Sequence, residues 1–204
     1  MRNLGVQLDK FLSMDAHVSA ICKSSYYHLW NIARIRKYLS NSDAAKVIHA
    51  LVTSRVDGCN AVLAGLPKAL LSRLQRVLNS AARVLDRVRK FEHITPVLKD
   101  LHWLPIAKRI EYKVLTLVFK ALNNSAPKYI SDLLSIKQCR YPLRSATSTL
   151  LIVPRSRTTH YGDRAFEHFA PLLWNKLPNE IRGITCLKTF QAKIKELLFL
   201  QSYK

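Results

Sequence analysis

The chain has 204 residues, 49% of them hydrophobic, which is enough to bury a core and too apolar for a disordered polymer. Thirty-three Lys and Arg against thirteen Asp and Glu leave a formal charge of +20, a balance that points to a polyanionic partner, nucleic acid first. No window approaches the roughly eighteen uninterrupted apolar residues of a membrane span, and the N-terminus lacks the apolar run of a signal peptide, so a soluble intracellular protein without membrane contact is expected.

In chain order, the alternation Leu4-Gly5-Val6-Gln7-Leu8 predicts a short strand, and Ser13 stands as an N-cap for a helix over Asp15 to Tyr38. Val18, Ile21, Cys22, Leu29 and Ile32 give that helix its buried side, while Arg34, Arg36 and Lys37 crowd its last turn, where cations favour the dipole. Ser42 or Asp43 caps a second predicted helix to about Arg55. A break at Asp57-Gly58 follows. Gly65-Leu66-Pro67 then ends one segment and presets a third helix to about Arg89.

On that third helix Leu70, Leu74, Val77, Leu78, Ala81 and Leu85 fall on one side. Arg73, Arg76, Arg83, Arg87 and Lys90 line an arc roughly 100° wide on the other. No glutamate is interleaved to neutralise them, so the spacing predicts a continuous cationic stripe able to follow a phosphate backbone.

Pro96 and Pro105 start the next two helices. The longer runs to about Asn123 with Ile110, Val114, Leu117 and Ala121 inward and Arg109, Lys113 and Lys120 as a second basic row. Between them, Trp103 in Leu-His-Trp-Leu-Pro reads as a wedge fixing the angle of two helices, with base stacking as the alternative. Pro127 begins a short segment ending near Leu134. Arg140, Arg144, Arg155 and Arg157 then flank a β-prone Thr147 to Val153, expected as a hairpin or a strand with a basic loop. Phe166 to Trp174 reads as helical with Pro171 kinking or restarting it, and a last helix is predicted over Leu187 to Leu200.

The four cysteines are scattered without a close pair and read as buried or inert reduced thiols; the seven histidines show no metal-ligand spacing. No Asp-Asp pair, phosphate-binding loop, dinucleotide glycine pattern or Gly-x-Ser-x-Gly elbow occurs, so neither a catalytic residue nor a cofactor is expected.

Two blocks carry a family likeness: HITPVLKDLHWLPIAKRIEYKVLTLVFKALNNSAPKYISDLL from His93 to Leu134, and GDRAFEHFAPLLWNKLPNEIR from Gly162 to Arg182. Together with Tyr27-His28-Leu29, Val52-Thr53-Ser54-Arg55 and Arg73-Leu74-Gln75, they resemble the region downstream of the polymerase palm in reverse transcriptases of non-LTR retrotransposons, the LINE elements. Gly58 departs from the likeness, standing where a tyrosine is expected. The resemblance implies a mainly α fold: residues 1–12 as the remnant of a palm-closing strand, 13–134 as a helical thumb-like domain, and 135–204 as an extension with short strands and terminal helices. It also implies an RNA-directed DNA polymerase parent whose metal-binding palm aspartates lie upstream of Met1. A catalytically incomplete fragment that binds RNA or an RNA/DNA hybrid through phosphates is therefore expected. The competing expectation is an inert helical remnant or protein-interaction module that self-associates through exposed apolar surface.

Overall fold

The computed structural model describes residues 1–3, 5–137, 149–159 and 161–203. The protein is mainly α-helical, with a small antiparallel hairpin at its start. The described chain divides into two compact units, residues 1–109 with Tyr203, and residues 110–202. The sequence expectation placed a boundary after Leu134 instead.

The hairpin pairs β1 (Arg2–Asn3) with β2 (Val6–Gln7), turning at Gly5, whose φ of 87° suits glycine. Two short strands thus replace the single strand predicted there; Leu4 lies outside the described residues. Helix α1 (Asp15–Ile35) starts without the predicted Ser13 cap. Met14 occupies the N-cap position, and the Ser13 hydroxyl one residue earlier accepts the Asp15 N–H at 3.4 Å; the Asp9 carboxylate orders the turn before the helix, accepting the N–H groups of Phe11, Ser13 and Met14 and the Ser13 hydroxyl at 2.8 to 2.9 Å. The N–H of Ser13 contributes most to holding the Asp9 carboxyl below its ordinary pKa.

A 3₁₀ turn over Arg36–Tyr38 ends the first helical run. Helix α2 (Asn41–Ile48) is capped by Ser40 rather than Ser42 or Asp43: the Ser40 hydroxyl accepts the Asp43 N–H at 3.1 Å and donates to the Asp43 carboxylate at 2.7 Å. A π-helical stretch over His49–Thr53 brings consecutive Val52 and Thr53 both into the interior, and α3 (Ser54–Asp57) completes the run. A 3₁₀ segment, Asn60–Leu63, leads to α4 (Lys68–Asp86).

The core of the first unit is the seam where α1 meets α4 and the α2–α3 run. Val18, Leu29 and Ile32 of α1 face Leu74, Val77, Leu78 and Ala81 of α4, all buried, each large side chain contributing roughly 1.5 to 3 kcal/mol of apolar burial. Arg36, predicted in the last turn of the first helix, is only 5% exposed. Its guanidinium donates to the carbonyls of Val84 and Leu85 in the last turn of α4, to Leu39 O at 2.8 Å and to the Asn41 side chain. A side chain from the first helical run therefore satisfies the orphan acceptors that end α4. Helix α5 (Thr95–Asp100), with Pro96 in its first turn, packs back on α4.

Helix α6 (Ile106–Leu122) begins in the first unit, where Gln75 Oε1 accepts the Ile106 N–H at 2.9 Å, and continues into the second. The second unit also contains α7 (Lys128–Ser131), α8 (Phe166–Asn175), α9 (Asn179–Arg182) and α10 (Leu187–Ser202). Its core is an aromatic stack in which Phe190 lies 4.3 Å from Phe119 and 5.7 Å from Trp174, centroid to centroid. Val114, Val118, Ala170 and Ile194 pack there too. Helix α8 runs unbroken through Pro171, so the predicted restart does not occur.

The β-prone segment forms one antiparallel bridge, Ile136 to Leu151. Asn175 clamps that strand, accepting from Leu151 N–H and donating to Leu151 O, while the Trp174 indole N–H donates to Thr149 O at 2.8 Å. Arg140, Arg144 and the start of the predicted β segment at Thr147 lie outside the described residues.

Candidate nucleic-acid interface

The cationic stripe predicted along the third helix does not survive as a continuous, free feature. Arg73 on α4 donates to the Asp15 carboxylate at 2.6 Å and to the Ser19 hydroxyl at 2.7 Å, tying α4 to α1. Arg83 donates to the carbonyls of Arg89 and Glu92, both at 3.0 Å, and so holds the chain that leaves the helix. Arg87 lies past the helix end, in a left-handed conformation at φ 55°, and donates to Arg36 O at 3.1 Å. Lys90 lies further along the connection, exposed, its ammonium 6.0 Å from the Phe91 ring centre. The stripe was projected to Lys90, but the helix stops at Asp86 and Arg87 turns out of it. Of the arginines and lysine projected onto the stripe, only Arg76 stands on α4 exposed and with no side-chain partner among the described residues.

The second basic row divides in the same way. Arg109 has only 15% of its side chain exposed; it pairs with Asp57 at 2.7 Å, donates from Nε to Leu104 O at 2.9 Å and sits 5.8 Å from the Trp103 ring centre. It acts as a cross-brace rather than a surface cation. Trp103 is half-buried, and its carbonyl accepts the Tyr203 hydroxyl at 2.6 Å, an arrangement that suits the wedge reading better than a free stacking face. In the second unit Lys113 is exposed and Lys120 partly exposed on α6, while Arg155 and Arg157 are exposed on the segment that follows the Leu151 bridge. Arg144, the remaining candidate, lies outside the described residues.

A basic face that the sequence reading passed over lies on α1. Lys23, Tyr26, Tyr27, Trp30 and Arg34 are all exposed and fall within an arc of roughly 100° on the side opposite the helix's buried residues. The Arg34 guanidinium sits 4.8 Å from the Trp30 ring centre, and Lys37 sits the same distance from Tyr38 just beyond the helix. The signal was present in the helical spacing. It was hidden because the same helix also carries a full apolar side, which accounted for its pattern by itself.

Of the thiols, Cys22 is buried, and burial pushes its pKa up. Cys59 and Cys186 are free and exposed, so of the thiols among the described residues only Cys22 is buried. Cys186 precedes α10, where the Thr189 N–H stabilises its thiolate and lowers its pKa. Among the described residues no three His, Cys, Asp or Glu side chains converge to hold a metal ion, and no helix is long and apolar enough to cross a membrane.

Compared with known proteins, the chain matches no family model, no curated protein and no solved structure.

Proposed function

We propose that this chain is a helical, thumb-like module of a non-LTR retrotransposon reverse transcriptase, catalytically incomplete by itself, that binds RNA or an RNA/DNA hybrid through its phosphates. The observation that carries the reading is a charge of +20 held on a folded helical body. On it Arg76, Lys90, Lys113, Arg155 and Arg157 stand exposed without a carboxylate partner among the described residues. The family assignment rests on the two sequence blocks quoted above. The contact set is narrower than spacing alone suggests, because Arg73, Arg83, Arg87 and Arg109 already serve the fold.

The test is fluorescence anisotropy of a labelled RNA/DNA hybrid across a salt series. If about six phosphates are neutralised, log K against log salt falls with a slope near −5, and Arg76→Gln or Lys113→Gln each makes that slope shallower by about one. A flat salt dependence, or no binding at low salt, overturns the proposal. A second reading, a self-associating interaction module, is favoured by the 93% exposure of Phe91 and the exposure of Phe11 and Tyr129. Light scattering of the purified chain separates the two, since a monomer that binds the hybrid excludes it.

A further inference from the structure

We infer that the outward face of α1 is a stacking platform for single-stranded nucleic acid, a site distinct from the phosphate contacts proposed above. It goes beyond that reading in naming a different helix face and a different strand state.

Three large rings, Tyr26, Tyr27 and Trp30, stand exposed within one turn and a half of a helix whose opposite side is fully packed. The packing need is met by Val18, Ile21, Leu29 and Ile32, and none of the three outer rings is among the buried residues of the core. Trp30 remains 60% exposed even with Arg34 seated against it. That cation–π contact restrains the indole and leaves much of its surface open, lowering the ordering cost of receiving a flat partner.

Cations bracket the rings. Lys23 lies one turn before Tyr27 and Arg34 one turn after Trp30, spanning about 16 Å along the axis, with Lys37 and Tyr38 extending the pattern past the helix end. Rings flanked by cations match a polymer that carries planar bases along a phosphate backbone.

Charge selects the occupant. The only carboxylate in α1 is Asp15, and it is taken by Arg73. A second copy of the chain docked face to face would set Lys23 and Arg34 against their own counterparts, which opposes self-association there. An apolar protein surface would leave the cations unpaired. A duplex would satisfy the cations but not the rings, because its base faces are already stacked; an unpaired strand satisfies both.

The chain's tryptophans make this directly testable. Trp174 is 1% exposed and Trp103 half-buried, so quenching of emission by a bound strand reports chiefly on Trp30. The full-length chain is titrated with a 20-nucleotide oligouridylate and, separately, with a blunt RNA/DNA hybrid of equal length. The expected result is quenching by the single strand. Trp30→Ala then weakens single-strand affinity about tenfold or more and removes most of the quenching. It leaves hybrid affinity within about twofold, while Trp30→Phe recovers most of the lost affinity. Arg76→Gln, on the other helix, is expected to weaken the hybrid more than it weakens the single strand.

The inference is overturned if Trp30→Ala binds oligouridylate like the parent chain, or if the parent binds the hybrid but not the single strand. It is also overturned if Trp30→Ala changes only the oligomeric state in sedimentation, which would give the face to a second copy. Single-strand binding with no hybrid binding sustains the platform and rejects the phosphate reading above. Failure of both probes at low salt rejects both.

Discussion

Helices α1 and α4 pack against each other in the same unit, yet they use their cations in opposite ways. On α4, Arg73 and Arg83 are turned toward neighbouring carboxylate and carbonyl oxygens, and the residue that should extend the row, Arg87, has left the helix. On α1, Lys23 and Arg34 face solvent beside Tyr27 and Trp30, while Arg36 just past the helix end is drawn inward to finish α4. Identical residue types at similar helical spacing thus become fasteners or surface groups, depending on which acceptors the tertiary fold sets within reach. A guanidinium that already has two or three acceptors must give them up to meet a phosphate, and this lowers what it contributes to binding.

The sharpest way to break this comparison is to remove the most deeply engaged fastener. Arg36→Met retains apolar volume but leaves the carbonyls of Val84, Leu85 and Leu39 without their charged donor in a buried setting. Hydrogen bonds to charged groups contribute about 1.5 to 3 kcal/mol each, and buried acceptors left unpaired add to the loss. The expected destabilisation is about 3 kcal/mol, read as a lower urea midpoint at unchanged slope. A loss below about 0.5 kcal/mol would show that water replaces the guanidinium and that the α4 terminus does not depend on it.

A gentler comparison stays on α4 itself. Arg73→Gln removes the pair with Asp15, but Asp15 is exposed, so solvent screening holds the expected stability loss to about 0.5 to 1 kcal/mol. Arg76→Gln, three residues on, is expected to leave stability unchanged while it weakens hybrid binding. Thermal or urea unfolding of the two variants, beside their hybrid affinities, tests this division. The distinction between fastener and surface cation fails if both variants lose equal stability, or if Arg73→Gln weakens binding as much as Arg76→Gln.

The same contrast explains what was legible in the sequence. The extents of α6 and α10 follow from their punctuation and period: Pro105 and Pro127 bracket one helix, and Phe190, Ile194 and Leu198 recur on the buried side of the other. Caps were less legible, because Ser13, Ser40, Ser42 and Asp43 are all competent and the choice depends on where the chain arrives. Pairing was hidden altogether. Arg73 meets Asp15 from 58 residues away and Arg109 meets Asp57 from 52, distances at which helical periodicity carries no information. Exposure on α1 failed for a different reason: Tyr26, Tyr27 and Trp30 are residues that ordinarily signal a core, and only the packed structure shows that α1 had already filled its own without them.

The smallest expected effect concerns the buried entrance to α1. His17 lies in the first turn, buried, with Nδ1 placed 3.4 Å from the Gln7 N–H as acceptor, and burial pushes its pKa below the ordinary histidine value. Charging it would desolvate an imidazolium, turn the Nδ1 acceptor into a donor facing Gln7 N–H, and set positive charge against the positive end of the α1 dipole. The sign follows. Below a pH of about 6.5 the unfolded chain binds a proton that the folded chain resists, so the contribution of His17 is complete above that pH and declines as pH falls toward the depressed folded value. Asp9, whose carboxyl is also held low, loses its contribution only below its unfolded value of about 3.9, well outside this range. The urea midpoint of the parent chain is therefore expected to fall more steeply between about pH 7 and about pH 5 than that of His17→Gln, which keeps an acceptor for Gln7 but has no proton to bind. Parallel profiles for the two proteins would mean that the imidazole takes up its proton as readily folded as unfolded, and that the N-terminal hairpin is not packed closely enough on α1 to exclude water from it.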